Sequence, residues 1–184
     1  MGRDTDYLKL LGECIGFHGH LCMGQVLGVR IAVKGLELAA AKDPRDLIVG
    51  VEVDRCLADA VLTVTGTRVG RRTLKLYPYG RMAASFLNTS TGKAFRVHAS
   101  YEGPPVGDDE AAMRRILELP DEEVVAWEEI TMNLAEEELP GKPKRVVTCS
   151  VCGERVFDGK DRPGPKGPTC PACLDTPYYT KKYD

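Results

Sequence analysis

Hydrophobic residues recur every three or four positions in two stretches near the start of the chain, with a break between them. Residues 7–15 and 22–41 follow this helical period, and residues 16–20 interrupt it. Small residues recur at the same spacing on one face of the second stretch, namely Gly24, Gly28, Ala32, Gly35 and Ala39. Because such a stripe lets another backbone approach closely, we predict a tightly packed second helix, in the core or in a dimer contact.

The middle of the chain predicts a group of strands. Residues 48–53 alternate and are β-branched, which is typical of a strand, and residues 57–65 predict a short helix that ends at Gly66. Turn residues separate three further predicted strands, at 73–77, 82–88 and 94–98.

Two more helices are predicted after these strands, at 108–117 and 121–139. Residues 140–145 are rich in proline and glycine, which stops a helix and favours a linker. We therefore predict two domains, at 1–141 and 142–184.

Composition excludes several classes of protein. The 184 residues are 43% hydrophobic and 28% charged with a net charge of -2, which is ordinary for a globular protein and argues against nucleic-acid binding over the whole surface. No apolar run approaches the ~20 residues of a membrane-spanning helix. The polar first residues show no secretory signal, so we expect a cytoplasmic protein that does not associate with a membrane.

Four of the seven cysteines form two CxxC pairs near the end of the chain. An odd number of cysteines without a secretory signal favours metal binding over a disulfide framework. The spacing of Cys149, Cys152, Cys170 and Cys173 predicts a structural zinc ribbon in which four thiolates close the coordination sphere. Because this segment has few apolar residues, zinc should supply much of its folding energy. A redox-active dithiol is the alternative.

A second set of candidate ligands lies near the start of the chain. His18, His20 and Cys22 alternate, and Cys56 follows the first predicted strand. In an extended segment the first three side chains would point to one side, whereas in a helix only His18 and Cys22 would share a face. We predict a second metal site here, with zinc as the favoured ion. The alternative is a structural turn beside an inert buried cysteine.

Other residues with chemically active side chains receive supporting or structural roles. Asp54 and Asp59 are candidates to orient a ligating imidazole. Cys14 lies in an apolar helical pattern and is interpreted as a core residue, and His98, at a strand end, is interpreted as structural.

The same residues carry a resemblance to a known family. Residues 17–24, with Gly28 and Arg30, resemble the FHGHxCPGxxxGxR signature of the FmdE family of formylmethanofuran dehydrogenase proteins. Residues 51–60 resemble its ExxxCxxDA segment, and shorter similarities follow at 65–70 and 79–83.

This resemblance implies an α+β fold with helices packed on a small mixed sheet, similar to the catalytic domain of glyceraldehyde-phosphate dehydrogenases, followed by a zinc-ribbon-like domain. It also implies a homodimer and an association with molybdenum- or tungsten-pterin enzyme subunits. Three positions depart from the family pattern: Met23 replaces proline, Thr67 replaces cysteine and Arg81 replaces lysine.

Three functions follow from these features. The first is an accessory subunit of an oxidoreductase whose redox cofactor lies on another chain, because this sequence has no nucleotide or pterin motif. The second is a stand-alone zinc-dependent enzyme with Glu52, Asp54 or Asp59 as general base. The third is a metal-responsive regulatory module whose basic ribbon docks on nucleic acid. The sequence alone assigns no catalytic residue.

Overall fold

A computed structural model of the chain describes residues 6–107 and 109–182. These residues divide into two units, the first ending at Asn133 and the second beginning at Leu134. The division lies ahead of the predicted linker at 140–145. Asp108, the predicted start of a helix, lies outside the described residues. No helix within 6–107 or 109–182 is long and apolar enough to cross a lipid bilayer.

Helices packed on a mixed sheet make up the first unit. The helices are α1 (Tyr7–His18), α2 (Met23–Ala39), α3 (Cys56–Thr65), α4 (Glu110–Arg115) and α5 (Asp121–Val124). The strands are β1 (Leu47–Val51), β2 (Leu74–Leu76), β3 (Ala83–Asn88), β4 (Ala94–Ala99) and β5 (Val125–Ile130). The sheet order is β2-β1-β3-β4-β5, with β1 and β2 parallel and the other pairs antiparallel. The α+β fold with a mixed sheet is therefore confirmed.

The small-residue stripe of α2 lies in the core of the first unit. A Cβ atom added at Gly28 would lie 2.6 Å from the Ala60 Cβ on α3, and one added at Gly35 would overlap the buried ring of Phe86 on β3. The glycines thus let α2 approach both α3 and the sheet. Their cost in helix propensity, about 1 kcal/mol each, is offset by this packing.

We expect Gly35→Ala to lower the free energy of unfolding by about 1–3 kcal/mol, because the fully buried Phe86 ring has no room to move away. Gly12→Ala on α1 is the matched control. No atom lies within 4 Å of a Cβ added there, so this variant should gain up to about 1 kcal/mol from helix propensity. Urea unfolding of both variants measures the difference, and an equal effect of the two substitutions would contradict the packing argument.

Arg30 of the family signature has a structural role. Its guanidinium is buried and donates hydrogen bonds to the carbonyl oxygens of Ile116, Leu117 and Leu119 at 2.7–2.9 Å. It also pairs with the Asp121 carboxylate at 2.7 Å. These bonds fix the segment after α4 against α2, and they satisfy carbonyls at the end of a helix.

The helix predicted at 121–139 is wrong beyond its first turn. α5 ends at Val124, and β5 then pairs with β4 in the register Ala94↔Ile130 to Ala99↔Val125. The run of valine, alanine and tryptophan suits an edge strand, and pairing with β4 overrides the helix preference of the glutamates that follow. Only a 3₁₀ turn at Glu136–Glu138 remains helical in the rest of the predicted span.

Two short hairpins and a helical turn make up the second unit. The strands are β6 (Val146–Thr148), β7 (Arg155–Phe157), β8 (Arg162–Gly164) and β9 (Gly167–Thr169), and the turn is α6 (Pro171–Leu174). β6 pairs with β7 and β8 with β9, each antiparallel. The first CxxC segment connects β6 to β7, and the second follows β9 and begins α6.

Candidate metal centres

The first unit brings the four predicted ligands of the body into one cluster, called here the body centre. One ligand atom from each of His18, His20, Cys22 and Cys56 lies within 4.8 Å of the others. His18 is the last residue of α1, Cys22 caps the start of α2, and Cys56 begins α3. The left-handed Gly19, with φ of 99°, ends α1 and turns the chain between the histidines. The segment is thus neither wholly extended nor wholly helical, and three helix ends converge on one point.

The imidazole of His18 is oriented for metal binding. Its Nδ1 lies 2.8 Å from Asp59 Oδ2, one turn into α3, so Nδ1–H donates to the carboxylate. Its Nε2 is buried and has no hydrogen-bond partner among the described residues. A buried nitrogen lone pair without a donor is costly in a core, whereas a metal ion would satisfy it. The donor set therefore fits a metal ion.

The two thiols of the body centre are held close together by the packing of α2 on α3. A Cβ atom added at Gly24 would lie 2.8 Å from the Cys56 Cβ, so only glycine lets the two helix starts approach this closely. Burial and a hydrogen bond with Cys56 raise the pKa of the Cys22 thiol, although backbone N–H groups of Gln25 and Gly24 oppose the shift. A divalent cation between two such thiols favours their deprotonated form and reverses this balance.

Gln25 supports the body centre and was missed in the sequence analysis. It is fully buried, and its Nε2 donates a 2.7 Å hydrogen bond to the carbonyl oxygen of Cys56. This bond fixes the start of α3 relative to α2, and with it the position of the Cys56 side chain. The signal in the sequence was a polar residue on an otherwise apolar helical face.

We expect Asp59→Asn to weaken metal binding at the body centre by about 10–100-fold, because the carboxylate fixes the orientation and tautomer of His18. Asp54→Asn is the control, since Asp54 is a nearby exposed carboxylate with no hydrogen bond to this imidazole. Competition with a chromophoric chelator measures both affinities. Equal affinities for the two variants would contradict a role for Asp59 in positioning His18.

Glu52 is bound in an ion-pair network. Its buried carboxylate lies 2.7 Å from Arg96 Nε and 2.6 Å from Arg81 Nε. Burial alone would raise the pKa of Glu52, but the hydrogen bonds and charges of Arg96 and Arg81 outweigh it and lower the pKa. An ionised carboxylate that is fully engaged with two guanidinium groups is poorly suited to the role of general base.

The remaining residues considered in the sequence analysis have structural contacts. Cys14 is fully buried, and burial raises the pKa of its thiol to about 11, as expected for a core cysteine. His98 Nδ1 lies 3.1 Å from the Ala99 carbonyl oxygen. Thr67, where the family pattern has cysteine, is buried with its hydroxyl 2.7 Å from that of Thr65.

The second unit holds the other cluster, called here the ribbon centre. One sulfur atom from each of its four cysteines lies within 4.8 Å of the others; they are Cys149, Cys152, Cys170 and Cys173. The N–H of Cys170 donates to Cys149 Sγ at 3.3 Å. Together with N–H groups of Cys152 and Val151, this bond lowers the pKa of Cys149 to about 6 and favours the thiolate. Four converging sulfurs fit a closed tetrahedral metal site, as in a zinc ribbon.

Comparisons with known proteins bear on both units. A curated relative from Archaeoglobus fulgidus, described as a probable S-adenosyl-L-methionine-binding protein, is 32% identical over 100 residues. The match covers 51% of this chain, which spans just over a quarter (27%) of the length of that relative.

A solved structure matches over nearly the whole chain. It is the crystal structure of an FmdE-like protein of tungsten formylmethanofuran dehydrogenase from Syntrophus aciditrophicus. Its TM-score is 0.65 at 23% identity, with 96% of each chain covered, which establishes a shared fold. The model of the FmdE family, described by the molybdenum formylmethanofuran dehydrogenase operon, matches residues 17–138. Because this match covers most of the chain and includes the body centre, the chain belongs to the FmdE family.

Proposed function

We propose that this FmdE-family protein is an accessory subunit of a molybdenum- or tungsten-pterin oxidoreductase and carries one zinc ion in each centre. The observation that carries the proposal is the convergence of His18, His20, Cys22 and Cys56 within the segment that matches the family. The family description names a molybdenum enzyme operon, and the solved relative is described as similar to a component of a tungsten enzyme. Thiolate centres of this kind are stable in a reducing compartment, so we place the protein in the cytoplasm as a homodimer.

Zinc is the metal that suits both donor sets. Four thiolates, or two thiolates with two imidazoles, are common tetrahedral environments for zinc in proteins. In the body centre, zinc would be held by residues at the ends of α1 and α3 and the start of α2. When bound there, it would tie these three helix ends together and supply a Lewis acid.

The charge distribution of the ribbon weighs against a nucleic-acid function. Arg145 pairs with Asp161, Arg162 with Asp175, and Lys160 with Glu138. Each of these basic groups already has an acidic neighbour, so little positive charge remains to neutralise phosphates. The regulatory hypothesis therefore ranks below the accessory role.

The test of the accessory role is affinity purification of the tagged full-length chain from its native host under low-salt, anaerobic conditions. We expect molybdenum or tungsten to co-elute in a fixed ratio to the chain, together with a pterin detectable by fluorescence after oxidation. A tagged chain carrying Cys56→Ser is processed in parallel to show whether the body centre is needed for assembly. Elution of the chain without molybdenum, tungsten or pterin would contradict the proposal.

A further inference from the structure

A cavity of about 430 Å³ lies beside the body centre. His18 and Cys56 form one wall, and aliphatic side chains form most of the rest: Val51, Leu62, Val69, Leu74 and Leu76. These residues come from β1, α3, β2 and the loop before β2. The cavity therefore lies against the metal-binding residues at one wall and against apolar parts of the sheet and α3 elsewhere.

The volume and lining are those of a small-molecule site. Cavities that bind small ligands have volumes of roughly 300–1,000 Å³ and combine apolar walls with a few polar groups that orient the ligand. Here the metal-binding side chains His18 and Cys56 are concentrated at one wall. A ligand that fills this cavity needs an aliphatic part for the apolar walls and one donor atom directed at the body centre.

Charge at the cavity favours a neutral aliphatic part. Asp54 and Asp59 line it together with Arg55, so acidic groups outnumber basic ones. The thiolates of the body centre add negative charge when metal is bound. A carboxylate on the ligand would meet net repulsion, whereas a neutral alkyl chain would not.

The donor atom follows from the cluster. Two cysteines and two histidines select metals that also accept sulfur, zinc among them. We infer that the cavity binds a small neutral aliphatic thiol, with its sulfur at the wall formed by His18 and Cys56 and its alkyl chain against the aliphatic residues. This inference rests on the proposed function only in that the body centre must hold a metal ion.

The test uses the full-length protein with cobalt(II) in both centres, because cobalt reports changes in its ligands through visible absorption. 1-Propanethiol is the probe, and the same titration of a His18→Ala variant is subtracted to remove the contribution of the ribbon centre. We expect a saturable change in the cobalt absorption bands. Absence of that change at millimolar thiol would overturn the inference.

Two variants place the thiol in the cavity rather than at the solvent side of the centre. Ala58 lines the cavity on α3, so Ala58→Leu fills part of it, and Leu76→Asp puts a charge on its half-exposed rim. We expect each to weaken thiol binding by about tenfold or more while cobalt loading is retained. Ala111→Leu, on an exposed position of α4, is the matched control and should bind as the wild type does. Unchanged thiol binding in both cavity variants would overturn the placement.

Two further outcomes separate the parts of the argument. 3-Mercaptopropionate should bind more weakly than 1-propanethiol, and tighter binding would overturn the assignment of a neutral alkyl chain. Failure of the body centre to take up cobalt would overturn the metal centre and this inference together. Normal cobalt uptake without a response to thiol would overturn only the inference.

Discussion

We expect Cys149→Ser to remove one metal ion per chain and to unfold the second unit, while the first unit stays folded. Within the described part of that unit, the buried hydrophobic residues are Cys149 and Val156 alone. So small a core cannot offset the conformational entropy of ordering two hairpins. Zinc binding to such sites contributes an apparent ~10–16 kcal/mol at pH 7, and this energy is folding energy.

Hydrogen exchange followed by mass spectrometry measures this effect. Peptides covering β6 to α6 should lose protection in Cys149→Ser, and peptides covering β1 and β3 should not. Val151→Ser is the matched control, because Val151 lies in the same CxxC segment but is exposed and donates only its backbone N–H. Full protection of β6 to α6 in metal-free Cys149→Ser would show that the hairpins fold without the ion.

The second large effect is expected from Cys56→Ser, which should remove the metal ion of the body centre and leave the ribbon centre loaded. Cys56 begins α3 and contributes one of the two sulfurs of the cluster. Serine is a poor ligand for zinc at neutral pH because its hydroxyl stays protonated. We expect elemental analysis to find one ion fewer per chain than in the wild type.

Cys14→Ser is the control for this substitution. Cys14 lies in the same unit but outside the cluster, with its Sγ 3.8 Å from the Ala60 carbonyl oxygen, a contact that a serine hydroxyl can replace. This variant should keep both ions. Loss of metal from Cys14→Ser as well would mean that any disturbance of the first unit empties the site.

Acidification provides a complementary view of the body centre. Because metal ligands must be deprotonated, binding weakens as the pH falls through the range in which the imidazoles and thiols protonate. Thiolates of the ribbon centre are favoured by backbone N–H groups around Cys149, whose pKa is lowered to about 6. We therefore expect the body centre to release its ion at a higher pH than the ribbon centre in a chelator titration.

Local sequence patterns predicted the elements whose determinants are local. The helical period of α2, the β-branched run of β1 and the glycine after α3 each lie within one element, and the structure has these elements close to the predicted positions. The CxxC spacing likewise determines which sulfurs converge in the ribbon. β5 was missed because its strand conformation depends on pairing with β4, about thirty residues earlier in the chain.

The body centre was only partly predictable for a similar reason. Alternation of His18, His20 and Cys22 suggested one shared face, but the structure joins them through a helix end, a left-handed glycine and a helix cap. Convergence with Cys56 depends on the close packing of α2 on α3. The contact of Asp59 with His18 was anticipated from its position near Cys56, whereas the bond from Gln25 to the Cys56 carbonyl required the packed structure.

The most direct test of a separate metal centre in the first unit is zinc X-ray absorption spectroscopy on full-length Cys149→Ser, which leaves only the body centre loaded. The spectrum should fit about two sulfurs at ~2.3 Å and two nitrogens at ~2.0–2.1 Å per zinc. This mixed shell would place the ion among His18, His20, Cys22 and Cys56. A shell of oxygen and nitrogen without sulfur, or a variant that holds no zinc, would contradict the body centre as a metal site.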